Sequence, residues 1–569
     1  MVPPALVIQG KSFTLRSVVA GLAVGTVICA ANVYFGLQTG WVSIMSMPAS
    51  LMGFGIFKIL RPHLTFPFSP VENVLLQSVA CGMAIMPLGC GFVGVIPAMN
   101  YLLKPGEQGP IYLSTLQLII WSLGLCYFGV VFAVPLRQQV IIRERLKFPS
   151  GFSTAVLISV LHGKTSQSSK PENLDSAARG GFASLVPRTA IQDFAVPDTI
   201  SNNGDENDIE TQADPPSDWA SNMGLLLICF LISGFFTILT YFLPIVRNLP
   251  IFGTVAANTW LWTLNPSLAY VGQGVIMGTE TTLHMTLGAI VGWGFLSPLA
   301  KFKGWAPGPV DDWEHGSKGW IVWVSLAIML VDAVVSLGYV GCRSIPSFPG
   351  MGFIENFRKR LHKAREHIFG DASPQYSLLQ NQDEDFQSHT RDTTNDIMEA
   401  SRDGNDDIDR NDDDGGDDDA PADQRIGRRL VVIGLITSII LCIGTTHFVF
   451  GDLVPLYATV VAVFIALLLS IMGVRALGET DLNPVSGISK LAQLFFALII
   501  PQSNKSSVLI NLVAGAVSEA GALQAGDLMQ DLKTGHLLGA APNAQFWGQV
   551  IGATAGAILS AFIYRIYTS

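Results

Sequence analysis

Long apolar runs recur along this chain, separated by short polar breaks. Residues 221–245, 319–340, 429–450 and 453–473 each reach the roughly 20 apolar positions that an α-helix needs to cross a bilayer. Further runs occupy 17–36, the stretch leading to residue 60, 72–99, 113–135, 281–300 and 545–566. Shorter or broken ones lie at 151–161, 250–278, 476–500 and 507–523. The pattern predicts an all-α polytopic membrane protein of about 12 full transmembrane helices plus broken or re-entrant segments.

Two polar stretches divide the apolar runs. Residues 163–219 are rich in Ser, Asp, Asn and Pro without periodicity, and 342–427 begin basic and end in an Asp-rich run at 403–419. Both read as disordered cytoplasmic loops. The expected organisation is then an N-terminal transmembrane bundle at 1–162, the first loop at 163–219 and a central bundle with broken helices at 220–341. The second, acidic loop at 342–427 and a C-terminal bundle at 428–569 follow. Helix interruptions occur early, at Gln38-Thr39-Gly40, and late, between Gly478 and Pro484. Interruptions at matching places in two halves suggest an internal repeat with a binding site at its interface.

Composition sharpens this reading. Of 569 residues, 49% are hydrophobic and 14% charged, against about 25% charged in an average soluble domain. That excludes a nucleic-acid-binding protein and a typical soluble enzyme. The net charge of −10 comes from the loops: residues 371–423 hold 18 acids and three bases, and 162–220 hold ten acids and four bases. The other 457 residues carry 27 bases and 16 acids. The basic stretch Arg137, Arg143, Arg145 and Lys147 is placed in the cytoplasm by the positive-inside tendency. Seven scattered cysteines, with no C-x-x-C pair, read as packing residues. The start lacks a secretory signal pattern, so the first span is expected to act as its own signal.

Chemistry is expected where ionisable groups sit in or beside spans, because each costs about 2.5–3.5 kcal/mol there on insertion scales. Nine acids do so: Glu72, Glu280, Asp332, Asp452, Glu479, Asp481, Glu519, Asp527 and Asp531. Glu72 and Asp452 stand at span ends, and Asp332 is alone in an apolar run. The densest polar cluster, 519–536, contains Glu519, Gln524, Asp527, Gln530, Asp531, Lys533 and His536. Asp527, Gln530 and Asp531 are spaced i, i+3 and i+4, which puts them on one helix face. Glu519, Gln524 and Asp527 are expected on roughly the same stripe, with Gly535 as a cap or break. Carboxylates stacked beside Lys533 suit proton relay or a cationic group. A second cluster, Glu479, Thr480, Asp481, Asn483 and Pro484, surrounds a helix break whose freed carbonyls and carboxylate suit a cation or ammonium. The third, Asn32, Tyr34, Gln38, Thr39 and Gly40, offers uncharged donors at a break. No H-E-x-x-H, G-x-S-x-G or Walker A pattern occurs, which speaks against an enzyme or an ATP-driven pump.

The segments 32–60, 69–99, 132–163, 478–500 and 519–554 resemble the oligopeptide transporter superfamily. Within 527–535, Asp-Leu-Met-Gln-Asp-Leu-Lys-Thr-Gly is similar to a signature of its yellow stripe-like and microbial branch, and Phe148-Pro149-Ser150-Gly151 also matches. The Asn-Pro-Gly and Pro-Pro-Arg motifs of the peptide-specific branch do not occur; Ala541-Pro542-Asn543 stands after His536, which matches that branch's histidine. The resemblance implies proton-coupled symport of small oligopeptides or peptide-like metal chelates. It also implies about four spans beyond those present here, so the C-terminal bundle is expected to be truncated relative to the family.

The expected partners are the lipid bilayer, a small peptide or metal-chelate substrate, and protons, without nucleic acid. No cofactor or resident metal is expected, and no enzymatic activity. The expected location is the plasma membrane, with an internal membrane as the alternative. A channel or a non-transporting membrane scaffold are the rival functions. The candidate proton-coupling or substrate-binding residues are Asp527, Asp531, Lys533, Gln530, Glu519, Asp481, Asn483, Glu479, Gln38, Thr39, Asn32 and Tyr34. The candidate hinges are Gly40, Pro484 and Gly535.

Overall fold

A computed structural model describes residues 12–39, 42, 45–64, 66–162, 178–185, 217–343, 419–501 and 503–568. Its helices of ten residues or more, in chain order, are α1 (Leu15–Thr39), α2 (Ser46–Leu60), α3 (Pro70–Ala84), α4 (Thr115–Leu125), α5 (Phe128–Arg137), α6 (Pro149–Leu161), α7 (Ser217–Phe242), α8 (Leu268–Met277), α9 (Thr279–Ala289), α10 (Ser317–Arg343), α11 (Arg428–Phe450), α12 (Leu456–Thr480), α13 (Val485–Ile499), α14 (Ser507–Leu538) and α15 (Pro542–Thr568). No strand occurs among the described residues; a single bridge joins Leu249 and Leu264. The chain is therefore all-α, as its hydrophobic pattern requires. It divides into two units, Met1–Ala333 with Gly416–Ser569, and Val334–Gly415, and the candidate site lies within the first.

Among the described residues, nine helical stretches are long and apolar enough to cross a membrane, and Pro149–Leu161, Leu268–Met277 and Val485–Ile499 are shorter apolar helices. The three short helices fall where the sequence predicts short or broken segments, at 151–161, 250–278 and 476–500. Residues 507–523, expected as a short apolar segment ahead of a polar cluster, instead form one 32-residue helix with it. The polar residues continue that helix because they are enclosed by neighbouring helices instead of lying at an interface. Gly535, expected at a helix break, lies inside α14, which ends at Gly539 with φ 74°. Gly40 lies outside the described residues, as do the side chains of Gln38 and Thr39 and most of the loops at 163–219 and 342–427. The described parts of those loops are not uniformly solvated: Ala178, Asp419 and Ala420 are enclosed.

The centre of the bundle is α14, packed against α12, α13, α5, α6 and α3, while α3 also packs against α1, α2 and α15. The most apolar stretches of Pro70–Gly89 and Ser507–Leu538 are 94% and 78% buried, whereas that of Gly224–Phe242 is 0% buried. The outer helix carries exposed Leu225, Phe230, Phe235 and Ile238, the surface a lipid-facing helix presents. The helix α3 starts with a capping box: Ser69 accepts from the Glu72 amide, and Glu72 reaches back to the Ser69 amide, with Pro70 at the first helical position. The remaining carboxylate capacity of Glu72 is taken by Arg16, at 2.8 Å and 2.5 Å. Glu72 therefore caps a helix and ties it to α1.

Small residues let α15 lie close to α3. Gly548, Gly552 and Gly556 recur every fourth position on the face toward it, the small-residue spacing that allows transmembrane helices to approach. A Cβ on Gly556 would stand 2.6 Å from the Met83 carbonyl oxygen, and one on Gly552 would collide with that of Val79.

Candidate functional site

Three polar layers meet on α14, which is about 48 Å long at 1.5 Å per residue. The first is the pair Asp527 and Asp531, one helical turn apart and each 0% exposed. Gln549 of α15 donates to Asp527 Oδ2 at 2.6 Å, and Gln77 of α3 donates to Asp531 Oδ1 at 2.7 Å. Ser78 stands beside the Asp531 carboxylate, and the two carboxylates act on each other electrostatically. No cation reaches either within salt-bridge distance among the described residues. Two more glutamines brace the helix: Gln545 donates to the Asp531 carbonyl at 2.6 Å and Gln524 to the Leu125 carbonyl at 3.0 Å.

The second layer is the break between α12 and α13. Leu477 and Asp481 close the last turn of α12 by a backbone hydrogen bond, and Asp481 adopts the left-handed conformation with φ 64°, which Asp tolerates better than most residues. Pro484 then precedes α13 and has no amide to donate. This turn buries the Asp481 carboxylate to 7% exposure and surrounds it with donors from three other helices. Ser150, at the start of α6, donates its amide at 2.8 Å and its hydroxyl at 2.5 Å. Gln273 of α8 donates at 2.9 Å, and Gln530 of α14 at 3.4 Å. Asn483 donates to the Ala522 carbonyl at 3.1 Å, while its Oδ1 is buried without a hydrogen bond.

The third layer lies at the C-terminal end of α14. Lys533 is 0% exposed and its Nζ has no hydrogen-bond partner among the described residues. Arg145 and Arg179 act on it electrostatically. His536 packs edge-on against Phe182 with ring centroids 5.9 Å apart. Residues 178–185 lie along this end: the Ala183 amide donates to the His536 carbonyl at 2.8 Å and the Leu185 amide to that of Leu537 at 3.0 Å. Beside them Arg137 pairs with Asp419 at 2.7 Å, the side chains being 8% and 7% exposed, and Arg425 adds a contact at 3.3 Å. Burial alone would raise the Asp419 carboxyl, but the Arg137 charge and hydrogen bond, the Ala420 amide and Arg425 together hold it below its ordinary value.

The sequence-chosen residues thus fall into different places. Asp481 and Gln530 meet directly, Asp527 and Asp531 form the buried pair, and Lys533 stands one turn beyond Gln530. Glu519 does not join their stripe: its neighbours are Ser489 and Lys490 at α13. Eight residues separate it from Asp527, which leaves about 80° of rotation between them at 3.6 residues per turn. Gln524 turns to α4 and Asp527 to α15, so the expected common stripe is fanned over three neighbours. Glu479 is exposed. Asn32 donates to the Ala84 carbonyl at 2.8 Å. Tyr34, 41% exposed, packs on Phe35 and Tyr567. The glutamines Gln77, Gln545 and Gln549 escaped the sequence reading. Their signal was faint: Asn73 and Gln77, and Gln545 and Gln549, each stand four apart in largely apolar helices.

An all-α polytopic membrane protein with carboxylates enclosed on its central helix and broken helices beside them belongs to the class of integral membrane proteins built around an intramembrane polar site. Residues 12–569 match the family model described as OPT oligopeptide transporter protein, and the chain belongs to that family. It is 42% identical to the Saccharomyces cerevisiae protein named "Putative oligopeptide transporter YGL114W", with 98% of this chain and 78% of that one covered. It is 24% identical to the metal-nicotianamine transporter YSL2 of Arabidopsis thaliana, covering 98% of this chain and 74% of the relative. The iron-phytosiderophore transporter YSL15 of Oryza sativa subsp. japonica is also 24% identical, with 98% and 72% covered.

Proposed function

We propose that this protein is a secondary active transporter that moves small oligopeptides or peptide-like metal chelates together with protons across the plasma membrane. The observation that carries the reading is the Asp527–Asp531 pair: two enclosed carboxylates on a spanning helix, each held by one glutamine amide and neither facing a cation among the described residues. An unpaired buried charge is costly, and a proton removes that cost. A pair of this kind takes up a proton when one side of the membrane reaches it and releases it when the other does. Asp481, at the helix break, is the group that suits a substrate ammonium or cation, with Gln530 and Asn483 beside it. The names of the relatives support peptides or metal chelates as cargo.

The test is uptake of a labelled tripeptide into proteoliposomes with an imposed proton gradient. Wild type accumulates it, and a protonophore abolishes accumulation; a channel would pass it without the gradient. The variant Asp531→Asn loses uptake at an unchanged level of folded protein. Equal uptake by that variant removes Asp531 from the proton path.

A further inference from the structure

The third layer contains a cation that the proposed proton pair and ammonium site leave unused. Lys533 is completely enclosed, and its Nζ meets no hydrogen-bond acceptor among the described residues. A buried ammonium without an acceptor carries a full desolvation cost, so its position implies an anionic partner at some stage of the working cycle.

The surroundings are built for an anion. Lys533 leaves α14 against the first turn of α6: a Cβ placed on Gly151 would stand 3.4 Å from the Lys533 Cβ and 2.7 Å from the Gln530 carbonyl oxygen. The first turn of the 13-residue α6 lies beside Lys533, and a helix N-terminus favours negative charge. The turn that delivers α6 holds Arg145 at φ 48° and Phe148 at φ 44°, conformations that cost non-glycine residues energy and cluster at functional positions. The same turn supplies Arg145, and segment 178–185 supplies Arg179, both acting on Lys533. The first turn of α6 also serves Asp481, through Ser150. One helix start therefore has a carboxylate on one flank and, on the other, an ammonium without a hydrogen-bond partner among the described residues, and the two do not pair.

We infer that Lys533, together with the α6 N-terminus, is a carboxylate subsite for the transported solute, complementary to the ammonium site at Asp481. This rests on the transport reading above and narrows it: the solute carries a free carboxylate, and a peptide with its C-terminus amidated is a poor ligand.

The experiment uses the full chain purified in detergent and compares trialanine with trialanine amide by ligand-induced thermal stabilisation. Wild type is expected to bind the acid roughly tenfold more tightly than the amide, the size of one charge-assisted hydrogen bond. Lys533→Gln binds both alike, and Lys533→Arg keeps the preference. A wild type that responds equally to acid and amide, or to neither, overturns the subsite; so does a Lys533→Gln protein that retains the preference. The wild-type comparison stands even where Lys533→Gln fails to fold. Uptake assayed in parallel separates the two readings. A Lys533-dependent preference without proton-driven uptake refutes transport and leaves the subsite. Uptake of acid and amide at equal rates does the reverse.

Discussion

Gln549 and Asp527 lie on neighbouring helices, and the 2.6 Å hydrogen bond from the amide to Oδ2 is the carboxylate's single hydrogen bond among the described residues. Replacing Gln549 by Leu leaves an enclosed carboxylate without a donor, which costs about 1–3 kcal/mol. The loss is expected as a lower thermal midpoint of the detergent-solubilised protein. Adding Asp527→Asn to Gln549→Leu restores part of it, because the charge that needed the donor is gone. A double variant no better than the single one would show that Gln549 acts through packing alone.

Asp419 predicts an acid-sensitive contact at the end of the bundle. Its folded value lies below the ordinary one, so the stabilisation it provides is complete above the ordinary carboxylate value of about 3.9 and is lost as pH falls through the lower folded value. Acid should therefore weaken the protein in that window, and Asp419→Asn should flatten the dependence. The same variant strands a buried arginine and is expected to cost roughly 3–5 kcal/mol at neutral pH. The exposed Asp452 serves as the control, since Asp452→Asn should stay within about 0.5 kcal/mol. A pH–stability profile that is identical in wild type and Asp419→Asn counts against the contact.

Glycine substitutions separate close approach from open space. Gly552→Ala puts a methyl group onto the Val79 carbonyl and forces α15 from α3, for an expected loss of about 1–3 kcal/mol. Gly55→Ala, in α2, meets nothing within 4 Å and should gain roughly 0.5–1 kcal/mol from helix propensity. Unfolding midpoints of the two variants should move in opposite directions, and a shared direction would contradict the packing described.

Ser150 offers a more local probe. Ser150→Ala removes the 2.5 Å hydroxyl donor from Asp481 while keeping the 2.8 Å amide donor. Peptide binding should change by several-fold, with stability lowered by about 1 kcal/mol. Unchanged peptide affinity would remove the α6 start from the substrate site.

Much of this architecture is legible in local sequence. The apolar runs at 429–450 and 545–566 mark α11 and α15 closely, because span length follows bilayer thickness. The i, i+4 spacing of Asp527 and Asp531 and the Asp481–Pro484 break are also readable, since each depends on a few adjacent residues. What faces them is not. Gln77 reaches Asp531 across 454 positions, and only tertiary packing selects it. Helix continuity through Gly535 is hidden for the same reason: Gln545 presses on that glycine, and no local pattern carries a neighbour's position. Glu72 marks the converse limit. Its place at a span edge suggested chemistry, whereas Ser69 and Arg16 use the whole carboxylate for capping and pairing.

The left-handed turn at Asp481 also bears on how such a molecule can move. Its carboxylate fastens the start of α6, the middle of α8 and the body of α14 to the α12–α13 turn. In a carrier that exposes its centre alternately to two sides, some helices must slide past others. These either travel as one body or separate only when Asp481 exchanges its donors for a ligand. The residue would then act as a pawl: cargo arriving at it both fills a site and frees the mechanism to turn.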